Sequence, residues 1–163
     1  MHGLMMETPL LITSIIRFAA QYHGGTEIVS RTVEGPIHRY TYADSYGRVC
    51  RLAHALKRLG VAEGERVATL AWNGYHHFEL YYAVPGIGAV CHTINPRLFH
   101  DQISYIVHHA DDKYIFLDLT FVPLAEGLAA AMEGVKGYVI NDRRPAHAGN
   151  LAPQCPLLRD PAR

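Results

Sequence analysis

Residues 66–99, RVATLAWNGYHHFELYYAVPGIGAVCHTINPRLF, constrain the fold more than any other stretch of the chain. The run from Val67 to Trp72 is apolar, too short for a helix and closed by Asn73-Gly74, the pattern of a strand buried on both faces. Residues 86–94 repeat that pattern after a helical segment. A strand, a crossover helix and a second strand within about 30 residues form a βαβ unit, whose connection is right-handed in nearly all sheets. Both strands then finish on one edge, where ligands of open parallel sheets collect. Asn73 and the Asn95-Pro96-Arg97-Leu98 loop are thereby the candidate site residues.

The flanking sequence extends this unit. Ile12, Ile15, Ile16 and Ala19 recur at helical spacing before His23-Gly24-Gly25, predicting an amphipathic opening helix over 13–22. Residues 27–33 and 37–41 alternate around Glu34-Gly35 and predict an antiparallel hairpin with Pro36 at its edge. Thr41-Tyr42-Ala43-Asp44 has capping-box spacing. The helix it opens carries Val49, Leu52, Ala53, Leu56 and Leu59 on one side, Arg48, Arg51, Lys57 and Arg58 on the other, and stops at Gly60. Beyond Arg97 the pattern predicts helix over 101–110, strand over 114–117, helix over 120–132 and strand over 137–140. The fold class is α/β: a parallel sheet with helices on both faces plus an N-terminal antiparallel hairpin.

Charge and composition narrow the function. Lys and Arg total 15 and Asp and Glu total 15, so no basic field exists to hold nucleic acid or an anionic membrane. No apolar run approaches the roughly 20 residues that span a bilayer. Cys50, Cys91 and Cys155 are widely spaced and odd in number, which suits reduced thiols in a cytoplasmic protein. Residues 1–142 read as one folded unit. Residues 143–163 carry proline at 145, 153, 156 and 161 without periodicity and are predicted to be a disordered tail.

Four segments together resemble the AMP-forming acyl-CoA synthetases: Tyr40-Thr41-Tyr42-Ala43-Asp44, GERVATLAWN (64–73), GAVCHTINPRLF (88–99) and HHADDKYIFLD (108–118). The wording around Trp72-Asn73 and His92–Leu98 is most similar to the bacterial medium-chain fatty-acyl-CoA ligase branch, and the resemblance covers roughly residues 1–142. It implies a two-step reaction: a carboxylate attacks the α-phosphate of ATP on Mg²⁺ to give an acyl-adenylate, then the CoA thiol displaces AMP. It also implies a Ser/Thr/Gly-rich phosphate loop, a glutamate near the metal, a ribose-binding Asp and a mobile lysine. No phosphate-loop motif stands in these residues. Gly24-Gly25-Thr26 and Pro85-Gly86-Ile87-Gly88 are too short and lack the lysine that would meet phosphate.

The expectation is therefore a truncated N-terminal portion of a fatty-acid–CoA ligase, inactive alone and without a cofactor of its own, whereas the intact family uses ATP, Mg²⁺ and CoA. The tail fits that expectation. One consistent choice of codons for residues 146–163, read one base later, spells HMPETSLPNALCYETLL, similar to how such ligases continue, which places a frameshift near residues 143–146.

Asn95 and Arg97 are candidates to line the acyl or pantetheine approach, the alternative being a structural turn favoured by Asn-Pro itself. Asn73 is either a third substrate-proximal residue or a cap on the following helix, and Trp72 either core or interface bulk. His76 and Glu79 have ligand spacing but no third partner, so no metal site is expected. Cys91, in an apolar strand, reads as an inert buried thiol. Tyr75, Phe78, Tyr81 and Tyr82 form an aromatic helix surface that reads as core or a partner contact rather than a cofactor box, and that is exposed in this chain if the rest of a ligase normally covers it. Two other functions stay open: an interaction fragment that pairs with itself or with a full-length ligase, and a small nucleotide-binding α/β module, which the missing Gly-rich loop disfavours.

Overall fold

A computed structural model describes residues 9–141. The tail expectation, a frameshifted segment from residue 143, lies outside the described residues. The element order is α1 (Ile12–Tyr22), β1 (Glu27–Arg31), β2 (Ile37–Thr41), α2 (Tyr42–Arg58), β3 (Arg66–Leu70), α3 (Tyr75–Gly86), β4 (Val90–Thr93), α4 (His100–Ala110), β5 (Asp112–Asp118), α5 (Val122–Leu128) and β6 (Gly137–Asn141). β3 to β6 form one parallel sheet in the order β4-β3-β5-β6, while β1 and β2 pair separately as an antiparallel hairpin.

Alternation along the strands builds two cores. Val67, Tyr114, Phe116 and Val139 point to one face, where Val49, Leu52 and Leu56 of α2 and Leu80, Ala83 and Val84 of α3 cover them. Ala68, Leu70, Ile115, Leu117 and Tyr138 point to the other, under Ile103 and Val107 of α4 and Ala125 and Leu128 of α5. Strands buried on both faces explain why these runs are almost continuously apolar.

Helix ends follow their chemistry. Thr41 Oγ1 accepts from the Asp44 N–H at 3.2 Å and the Asp44 carboxylate accepts from the Thr41 N–H at 3.0 Å, so the capping box forms as spelled. α4 ends on Asp111 in the left-handed region, φ 55°, a conformation that Asp tolerates better than most side chains. At Gly88, φ 82°, an added Cβ would also stand 2.9 Å from Glu63 Cγ, so that turn requires glycine.

Several expectations are corrected. The second strand of the central unit is shorter than 86–94: Gly86 closes α3, and the strand is Val90–Thr93. It is also an edge strand among the described residues, with Val90 49% exposed, because the chain leaves β4 and crosses β3 to reach β5. The helix expected over 120–132 is divided into a 3₁₀ turn, α5 and a second 3₁₀ turn, since Pro123 has no N–H and fixes its φ at the start of α5. In α1 only Ile16 is buried; Ile12 and Ile15 are half exposed. The aromatic surface of α3 is largely covered. The hairpin folds over the start of α3, stacking His38 on Tyr75 at 3.9 Å, so Tyr75 is buried and Tyr81 remains exposed. Arg48 does not face solvent with the other α2 cations: its Nε donates to Glu79 Oε1 at 2.7 Å, and its guanidinium lies 5.4 Å from the Tyr75 ring centre.

Candidate functional site at the carboxyl edge of the sheet

Strand order fixes where a site belongs. The chain leaves β3 for α3 on one face and leaves its neighbour β5 for α5 on the other, so the topological switch point lies between the carboxyl ends of β3 and β5. The Leu70–Asn73 turn and Asp118 border this crevice.

A buried polar network fills it. Asp118 Oδ2 accepts the Trp72 N–H at 2.7 Å, and its Oδ1 accepts from Asn141 Nδ2 at 3.2 Å. On the other side of the same residue, His77 Nδ1 meets the Trp72 carbonyl at 3.2 Å, and its Nε2 meets Thr69 Oγ1 at 3.0 Å. Thr69, His77, Asp118 and Asn141 are all buried. The Trp72 indole, 42% exposed, leans on Phe121 with ring centres 5.0 Å apart. Burial raises the Asp118 carboxyl above its ordinary pKa, opposed by its bonds from Trp72 and Asn141 and by the nearby His77; Glu34 pushes it further up. Burial also lowers the His77 imidazole, opposed by its bond to the Trp72 carbonyl and by Asp118.

Asn73, Asn95 and Arg97 are exposed and follow adjacent parallel strands, so they share this edge. Asn95 and Arg97 lie beyond β4, however, on the side of β3 away from the switch point. Asn95 Oδ1 accepts the Arg97 N–H at 3.0 Å, a local Asx turn that closes the loop. Beyond it a groove of about 420 Å³ runs along the start of α4, lined by Leu98, Asp101, Gln102, Tyr105 and Ile106.

Elsewhere the suggestive side chains are committed to other partners. Glu79 pairs with Arg48, and His77 belongs to the Trp72 network; among the described residues no three His, Cys, Asp or Glu side chains converge on a metal position. His92 Nδ1 stands 2.8 Å from the buried Asp112 Oδ2, whose carboxyl burial pushes up. Burial pushes the Cys91 thiol up to about 11, far from a nucleophile's range. The residues that sequence reasoning missed are Thr69, His77, Asp118 and Asn141. Each of the last two ends an apolar run, a local signal, but nothing local tells that β5 stands between β3 and β6.

A doubly wound parallel sheet with its crevice between β3 and β5 is the class that this topology defines. Residues 16–160 match the AMP-binding enzyme family, and the chain belongs to it. It is 46% identical over 140 residues to a 3-methylmercaptopropionyl-CoA ligase of Ruegeria lacuscaerulensis, covering 86% of this chain and 26% of that one. It is 42% identical over 153 residues to the medium-chain-fatty-acid–CoA ligase of Ectopseudomonas oleovorans, covering 94% and 28%. Among solved structures it superposes on a Mycobacterium tuberculosis fatty acyl CoA synthetase with TM-score 0.67 and 26% identity, covering 80% of this chain and 26% of that one. The chain thus spans about a quarter of the length of these relatives. No helix among the described residues is long and apolar enough to cross a membrane.

Proposed function

We propose that this chain is the N-terminal scaffold of a fatty-acid–CoA ligase, cytoplasmic, and inactive in adenylation by itself. The intact reaction in this reading joins a fatty acid to CoA with cleavage of ATP to AMP and pyrophosphate on Mg²⁺. The observation that carries the reading is the match itself: strong identity along nearly the whole chain, confined to about a quarter of each ligase. The crevice supports it further. Its Trp72 N–H and Asn141 amide are occupied by Asp118, whose charge would repel a triphosphate. Asn73, Asn95 and Arg97 then act by shaping the edge that meets the rest of a ligase, as substrate-proximal positions in the assembled enzyme. Residues 143–163 are a frameshifted continuation of the ligase reading frame, a point that the DNA downstream of codon 142 decides.

Titration calorimetry of the pure chain with ATP and Mg²⁺ tests the scaffold reading. No saturable heat is expected, and stoichiometric ATP binding would overturn it. A second reading, association with another copy or with a full-length ligase, is favoured by the apolar side chains left on one flank of α1: Leu11, Ile15, Phe18 and Tyr22 are each more than half exposed.

A further inference from the structure

The switch-point crevice of this domain holds a carboxylate of its own. Asp118 is 6% exposed and takes both the main-chain N–H of Trp72 in the turn after β3 and the side-chain amide of Asn141 at the end of β6. Its grip on Trp72 is matched from the opposite side. His77 holds the carbonyl of the residue whose N–H Asp118 accepts, and Thr69 of β3 steadies the imidazole. Loops at strand ends usually satisfy their main chain with water or their own turn. Here side chains from β5 and α3 clasp the two ends of one residue, and Asn141 ties the same carboxylate to β6.

We propose that Asp118 is a positioning residue that serves as a built-in anion: it fills the crevice in place of an outside carboxylate or phosphate and fixes the Trp72-Asn73 turn against β5 and β6. The inference goes beyond the ligase reading, and its test uses no ligase substrate, so either can fail without the other. Because Asp118 supplies the anion, removing its side chain leaves two donors around a carboxylate-sized space, and formate has the shape and charge to occupy it. The charged and titratable groups facing Asp118 are His77 from α3 and Glu34 from the hairpin turn, and the experiment is run at pH 8, where the pH dependence of the imidazole does not intrude.

Trp72 is the single tryptophan of the chain, so its fluorescence reads the turn directly. In Asp118→Ala, with the far-ultraviolet dichroism unchanged, Trp72 emission shifts to the red and acrylamide quenching increases. The thermal midpoint falls by roughly 5–10 °C for two orphaned donors. Formate, but not chloride at equal ionic strength, returns emission and quenching toward wild-type values saturably, whereas the wild-type chain does not respond to formate. A merely structural loss would lower the midpoint without this selective rescue. Wild-type emission and quenching in the variant, or a red shift that chloride reverses as well as formate, would overturn the proposal. If Asp118→Ala does not fold, amide exchange in the wild-type chain decides: the Trp72 amide, although in a turn, exchanges slowly, and exchange as fast as that of the exposed Asn73 amide would rule the clasp out.

Discussion

His77 is held in one tautomer by its surroundings. The Trp72 carbonyl can only accept, so Nδ1 carries the proton, and Nε2 then accepts from the Thr69 hydroxyl. A second proton would place charge in a buried site, which is why the imidazole titrates below its ordinary range. The sign for stability follows. The unfolded chain binds a proton near pH 6.5 while the folded chain resists it, so stability is full above that pH and falls as pH drops through 6.5 toward the folded pKa. Thermal midpoints should decline between pH 8 and pH 5.5, and His77→Gln should flatten that slope; an equal slope in the variant would assign the decline to other histidines. Asp118 works in the opposite sense, because its folded pKa is raised: its unfavourable contribution at neutral pH is relieved as pH falls through the folded value. At this scale the place of Asn73, Asn95 and Arg97 on the carboxyl edge of the sheet was legible, because each follows an apolar run. The partnership of His77 with Thr69 and Trp72, and of Asp118 with Asn141, was not, because it depends on which strands lie side by side.

Among the elements, those whose signals are local were read correctly. Thr41 and Asp44 lie three residues apart and form their box whatever packs around them. The hairpin likewise needs only Glu34-Gly35, where Gly35 takes φ 109°. Elements whose character depends on neighbours were misread. β4 reads like β3 but among the described residues has a partner on one side alone, and Arg48 shares a helix face with other cations until the hairpin and Glu79 enclose it. α1 shows the same limit, since its apolar stripe is wider than the surface it meets. Ile16 is 1% exposed and Ile15 59%, so Ile16→Ala should cost about 2–4 kcal/mol. Ile15→Glu should stay within about 0.5 kcal/mol. Urea unfolding of the two variants measures the difference, and a large loss in the Ile15 variant would show that this flank of α1 is covered in solution.

The whole molecule is a sheet with one neighbour for β4 and one for β6 among the described residues, cored on both faces, and matched to about a quarter of the length of its ligase relatives. Its two cores, one on each face of the sheet, hold the described residues together. Family membership was legible because the motifs at 40–44, 64–73, 88–99 and 108–118 fall on the capping box, on β3 with its turn, on β4 with its loop, and on the end of α4 with β5. The groove at α4 and the filled crevice were not legible, being products of how those pieces stand together. The central claim is that these residues supply a scaffold and leave the chemistry of adenylation to parts of the ligase beyond them. Pyrophosphate release by the purified 163-residue chain, given ATP, Mg²⁺ and medium-chain fatty acids, tests it most directly. The account predicts no acid-dependent release above the protein-free background; steady turnover that scales with the concentration of this chain would contradict it.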